Sequence, residues 1–152
     1  MDITMHADAG DFRLRAGGVF LRDGKLLVVR EENGDCLIPG GRVRLGETVE
    51  EAALREVGEE TGISASIRRP LFLNQGFFTA PDGRRQHELS FFFLMDGAKP
   101  WEGETVRHGG GRTYRLMWIP LDELGNVPLR PKFLRRGLRI LPTEFELLQN
   151  FD

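Results

Sequence analysis

The chain has 152 residues and a formal net charge of −2 at pH 7, with 40% hydrophobic and 29% charged residues. That length suits a single domain, residues 1–152, burying ~70% of the surface its unfolded form exposes. The charge argues against nucleic acid held in a broad positive field, no run of ~18 apolar residues predicts a membrane span, and the lone Cys36 forms no internal disulfide.

Residues 1–10 carry acids and a histidine in place of a basic start and an apolar stretch, so secretion is not expected and the cytoplasm is the expected compartment. Residues 12–20 have β-type composition, and residues 21–29 repeat it around Asp23-Gly24, which predicts a hairpin. Asn33-Gly34 marks a second turn. The short apolar run Cys36-Leu37-Ile38 then leads to Pro39-Gly40-Gly41, where glycine allows backbone shapes closed to other residues.

A helix is predicted from Thr48, which caps its own N-terminus with Glu51 completing the reciprocal capping box, to a stop at Gly62. Gly58 costs about 1 kcal/mol inside a helix relative to Ala, so tertiary contacts must hold its last turn. Residues 63–79 and 89–95 read as an antiparallel pair of strands joined through Asp82-Gly83. The second carries Phe91-Phe92-Phe93-Leu94-Met95, apolar on both alternating faces, which predicts a strand covered by helices above and below. A Gly-rich loop over 99–112, a last strand over 114–119, a turn over 120–124 and a terminal helix over 131–141 complete the reading.

The chemistry concentrates in residues 41–63, which follow the pattern G-x5-E-x7-R-E-V-x-E-E-x-G-I through Gly41, Glu47, Arg55, Glu56, Glu59, Glu60, Gly62 and Ile63. On a helix, Glu56, Glu59 and Glu60 fall within an arc of about 100°. Val49, Ala52 and Ala53 lie on that same side, whereas a merely solvated acidic face would oppose the apolar stripe. Crowded, partly desolvated carboxylates repel and resist ionisation, and a divalent cation is the compensation expected. Oxygen-only ligands of high charge select hard ions, so Mg²⁺ is expected, with Mn²⁺ able to substitute. Such an ion would neutralise a diphosphate, polarise its phosphorus and acidify a water.

With every position of that pattern present, the chain resembles the Nudix hydrolases. The resemblance is strong over residues 41–63 and looser over the strand order and Trp118-Ile119-Pro120-Leu121. It implies an α/β fold, a Nudix-type α/β/α sandwich with a mixed central sheet. It further implies that Glu56, Glu59 and Glu60 coordinate metal with the carbonyl of Gly40 as an added ligand, and that Arg55 and Glu47 form a buried pair orienting the ligand helix. Relatives of this kind are often dimers, and a homodimer stays open for this chain.

Two departures stand out. Cys36 occupies a position that is often aromatic in the family, and no neighbouring base in the sequence activates it, so a packed thiol is the expectation. Many relatives carry a further glutamate in the loop before the last strand, yet residues 105–119 contain no acid. Candidates for that general-base role are Glu88, ranked first beside His87, then Glu102 and Glu104, or one of the Glu56, Glu59, Glu60 set. Arg42, Arg44, Arg84 and Arg85 are candidate phosphate ligands. Phe77, Phe78, Trp101, Tyr114 and Trp118 are candidate stacking surfaces for a base.

Hydrolysis of a phosphoanhydride bond in a nucleoside diphosphate linked to another moiety is therefore the leading expectation, with (deoxy)nucleoside triphosphates first and ADP-ribose or another nucleotide sugar second. A non-catalytic nucleotide-sensing module is the alternative of another class, disfavoured because no carboxylate of the pattern is missing. Diphosphate isomerisation on this fold needs a catalytic cysteine, for which Cys36 has the wrong context.

Overall fold

The computed structural model describes residues 1–98 and 104–152, so Trp101 and Glu102 lie outside the described residues. In chain order the elements are β1 (Thr4–Ala7), β2 (Gly10–Val19), β3 (Leu21–Arg22), β4 (Lys25–Glu31), β5 (Cys36–Leu37), β6 (Gly40–Arg42) and α1 (Val49–Thr61). After α1 come β7 (Ser66–Thr79), β8 (Arg85–Asp96), β9 (Thr105–Gly109) and β10 (Arg112–Pro120). A 3₁₀ helix (Leu121–Asn126), β11 (Leu129–Arg130), α2 (Leu134–Gly137) and β12 (Glu146–Phe151) follow.

Among the described residues the strands form two six-stranded sheets, one ordered β1-β2-β8-β7-β12 with β6 on β2, the other β11-β5-β4-β10-β9 with β3 on β4. The first is mixed: β2 runs parallel to β8 and β12 parallel to β7, while β7 and β8 are antiparallel as expected. Alternate residues of β8 enter different cores, as their two-sided apolarity predicts. Phe93 and Met95 pack in one cluster with Ala52, Ala53 and Val57 of α1, and Phe92 and Leu94 in another with Leu124, Leu134 and Leu138. The layers are thus α1, the sheets, and the 3₁₀ helix with α2, an α/β/α arrangement whose second helical layer is thin.

Several local expectations change. The hairpin at Asp23-Gly24 forms, with φ of 52° and 71°, but only Leu21–Arg22 pair with Lys25 and Leu26. Residues before Phe20 leave for the other sheet because their ladder is taken by β8. The loop expected over 99–112 contains β9, which pairs with β10 across the Gly110-Gly111 turn. An edge strand needs no apolar face, so its polar sequence hid it. Of the helix expected over 131–141 only Leu134–Gly137 is helical, with Leu134 and Leu138 fully buried. The final strand is β12, not 114–119. It is an edge strand with Leu147 and Phe151 exposed, so its pattern carried no burial signal.

Close backbone approach brings α1 onto the first sheet. A Cβ on Gly40 would lie 2.7 Å from the Gly17 Cα, and one on Gly18 would lie 3.0 Å from the Val57 Cγ2. Glycine at these crossings lets β6 lie against β2 and lets α1 rest on β2, setting the distance from the Gly40-Gly41 corner to the acidic flank of the helix.

Candidate active site

Helix α1 begins and ends as its sequence predicts. The Thr48 hydroxyl accepts from the Glu51 N–H at 3.1 Å and the Glu51 carboxylate accepts from the Thr48 N–H at 2.9 Å. Gly62 closes the helix at φ 77°, its N–H donating to the Gly58 carbonyl. The acids therefore project from a helix fixed at both ends.

Arg55 organises them. Its Nε and Nη2 donate to the two oxygens of Glu47 at 2.8 and 2.6 Å, Nη2 also donates to the Arg42 carbonyl at 3.0 Å, and Nη1 reaches Glu56 at 2.8 Å and Glu59 at 3.4 Å. One guanidinium thus ties the loop before α1, strand β6 and two of the three acids together. The fork from Arg55 pulls the Glu47 carboxyl down to about 2, helped by the Arg44 N–H. The same contacts with Glu47 hold the Arg55 pKa above its ordinary value.

Glu56 rests its carboxylate on Gly41, where any Cβ would overlap it. Glu60 lies deeper, with a side chain 11% exposed, against 54% for Glu59. Its Oε1 accepts the Gly40 N–H at 3.1 Å and its Oε2 accepts Arg112. Burial pushes the Glu60 carboxyl up, Arg112 and the Gly40 N–H oppose this, and Glu56 adds like-charge repulsion.

Among the described residues no three His, Cys, Asp or Glu side chains gather at one point, since Glu56 turns to Arg55 and Glu60 to Arg112 and Gly40. The donors nevertheless fit a hard divalent ion: three carboxylates and the Gly40 carbonyl offer only oxygen. Gly41 provides the cradle for the Glu56 carboxylate that a side chain would fill.

The other candidates divide. Glu88 is held by Arg13 at 2.7 Å and lines a cavity of about 330 Å³ together with Arg15, Asn74, Gly76, Phe78 and Ser90. Leu37 and Ile38, just before Pro39, also line it, and Arg15 stands opposite Arg42 in the β2–β6 ladder. Arg42 is half-buried and Arg44 exposed. Arg84 is committed to Asp11 by a 2.7 Å ion pair, and Arg85 and Phe77 line a different cavity of about 540 Å³. Glu104 pairs with Arg115 at 3.0 Å, and Cys36 is fully buried, with its thiol pKa raised by burial. Tyr114 is buried and Trp118 half-buried, and among the described candidate aromatics Phe78 is the one that lines the cavity with Glu88 and Asn74. Arg112 carries no motif signal in the sequence, and its contact with Glu60 spans 52 positions of chain.

The NUDIX domain family matches residues 11–140 of the chain. An ADP-ribose pyrophosphatase of Methanocaldococcus jannaschii is 38% identical over 84 residues, a stretch that is 52% of this chain and 47% of that protein. The chain thus spans about half the length of that relative. An uncharacterised Nudix hydrolase of Bacillus subtilis is 27% identical over 138 residues, covering 86% of this chain and 83% of the other. The crystal structure of a MutT mutator protein from Bacillus halodurans superposes with a TM-score of 0.64 at 16% identity, covering 90% and 89% of the two chains, a likeness of fold.

Proposed function

The chain belongs to the Nudix family, and from that premise we propose that it hydrolyses a phosphoanhydride bond of a small nucleoside diphosphate compound with the help of a divalent ion, Mg²⁺ or Mn²⁺. The observation that carries this reading is the Arg55 fork, which fixes Glu47 and reaches Glu56 and Glu59 on one flank of α1 beside the Gly40-Gly41 corner. Glu56, Glu59, Glu60 and the Gly40 carbonyl would hold the ion. When bound, it would neutralise the diphosphate and acidify an attacking water.

The protein's own groups do the rest. Arg55 and Glu47 orient the helix and keep Glu56 aimed, acting as positioning residues. Glu59 is the most exposed of the three acids and meets Arg55 at 3.4 Å, so an oxygen of its carboxylate that does not hold the ion would take a proton from the attacking water. Glu88, the first candidate for that task, is occupied by Arg13 and serves the cavity wall instead. The 330 Å³ cavity supplies an aromatic face at Phe78 and polar groups at Asn74 and Ser90 for a nucleoside. Arg15 and Arg42 meet at its border with β6, where phosphates would pass toward the acids.

Nucleoside triphosphates are the first substrate class in this reading. ADP-ribose is a second reading, favoured by the likeness to the archaeal ADP-ribose pyrophosphatase. The test is turnover of a panel of both classes with Mg²⁺ and with Mn²⁺, products separated by chromatography, for the native protein and Glu60→Gln. One compound turned over far faster than the others, with the rate abolished in the variant, is the expected result. Nucleotide binding without product under saturating Mg²⁺ would replace hydrolysis with sensing.

A further inference from the structure

Both oxygens of Glu60 are taken by groups of this chain: Oε1 by the Gly40 N–H and Oε2 by the Arg112 guanidinium. Arg112 opens β10, directly after Gly110-Gly111. Its Nη1 lies 3.3 Å from Glu31 Oε1 at the end of β4, and its guanidinium carbon sits 4.7 Å from the ring centroid of Tyr114. The Tyr114 hydroxyl in turn donates to the Glu60 carbonyl at 2.7 Å. A planar fork can bridge two carboxylates on different elements, which a lysine ammonium cannot match.

This arrangement has a direct consequence for cation binding. A divalent ion and a guanidinium cannot share one carboxylate oxygen without strong repulsion at this depth. We propose that Arg112 is a resident counter-ion that holds Glu60 while metal is absent and surrenders it when metal binds, with Glu31 retaining the displaced guanidinium. The proposal rests on the reading of Glu60 as a metal ligand. It makes Arg112 a positioning residue: while no metal is bound, its fork holds the Glu60 carboxylate in place beside the Gly40 N–H and occupies the oxygen a metal would take. Glu31, 20% exposed, gives the guanidinium a second partner, so releasing Glu60 does not strand a charge.

The experiment measures Mn²⁺ affinity by electron paramagnetic resonance of the free ion, with no substrate present. It compares the native protein with Arg112→Met, Arg112→Lys and Arg115→Met. Arg115 lies on the same strand but pairs with Glu104, so its loss removes one charge without touching Glu60. Arg112→Met is expected to bind Mn²⁺ about tenfold tighter, because a charge-assisted competitor is gone. Arg112→Lys is expected to lie between it and the native protein, and Arg115→Met within about twofold of native. In chelator Arg112→Met should melt lower than native, and Mn²⁺ should raise its Tm by more. Should Arg112→Met fail to fold, Arg112→Lys carries the test with the same sign. Affinity equal to or weaker than native in the Arg112 variants, with native binding measurable, overturns the exchange and leaves Arg112 a brace. Equal tightening in Arg115→Met overturns it too, in favour of a diffuse charge effect. Failure of the native protein to bind Mn²⁺ removes both the exchange and the metal reading of Glu60.

Discussion

Tyr114 donates its hydroxyl to the main-chain carbonyl of Glu60 at 2.7 Å, joining β10 to the last turn of α1. A carbonyl in the last turn of a helix has no partner within the helix. Here that turn also contains Gly58, so it is weak by composition. Two further bonds support it: the Thr61 hydroxyl donates to the Val57 carbonyl at 2.7 Å and accepts the Ile63 N–H at 3.1 Å. The residue that carries the deepest acid is thereby held through its backbone by one strand residue and through its side chain by that residue's neighbour, Arg112.

Tyr114→Phe should therefore lower stability by about 1 kcal/mol, the net worth of one part-buried hydrogen bond. Urea unfolding measures the loss, and amide hydrogen exchange should show faster opening at Gly62 and Ile63. Unchanged exchange there would mean that the hydroxyl does not support the turn.

Arg55 and Glu47 should behave as one unit. Each side chain is less than a fifth exposed, at 18% and 15%, and two parallel bonds join them. A double-mutant cycle with Arg55→Lys and Glu47→Gln is expected to give a coupling of about 2 kcal/mol by urea denaturation. Arg55→Lys alone should impair turnover strongly, since an ammonium cannot keep the fork. Additive effects of the two substitutions would contradict the pairing.

The same pair sets an acid limit. With the Glu47 carboxyl at about 2 when folded against an ordinary 4.5, the unfolded chain binds more protons between those values. Stability from Glu47 is then complete above about pH 4.5 and disappears as pH falls toward 2. The stability difference between native protein and Glu47→Gln, measured by denaturant unfolding, should shrink steadily over that interval. A constant difference would show that the carboxylate is not held in its ionised form.

Gly41→Ala should disturb the proposed metal ligands more than the fold, because the new Cβ would overlap the Glu56 carboxylate, the mobile end of a side chain. Mn²⁺ affinity is expected to fall about tenfold, as when a supporting group of a metal ligand is lost, while Tm in chelator changes little. Native-like Mn²⁺ affinity would take Glu56 out of the ligand set.

Cys36→Ala should retain turnover of the best substrate while losing about 1–2 kcal/mol of stability to the small cavity left by a fully buried side chain. Loss of activity with the fold intact would reopen the isomerisation reading. Phe78→Ala, in contrast, should raise KM about tenfold with kcat little changed, the signature of lost binding that is equal in ground and transition states. A fall in kcat alone would move the nucleoside out of that cavity.

What residues 41–63 say by themselves is considerable. The capping box at Thr48 and Glu51, the stop at Gly62 and the shared flank of Glu56, Glu59 and Glu60 depend on neighbours a few positions apart, where helical geometry alone sets the relation. The two-sided apolarity of Phe91 to Met95 likewise announced cover on both faces. Only the tertiary structure decided that Arg112 meets Glu60 across 52 positions of sequence, that Arg13 occupies Glu88, and that Asp11 claims Arg84. It also decided that two strands with polar or exposed faces, β9 and β12, complete the sheets. Local conformation follows from short-range sterics and hydrogen bonds between adjacent residues. The partner of a charge is chosen by which surfaces the packed sheets bring together, and no spacing along the chain encodes that choice.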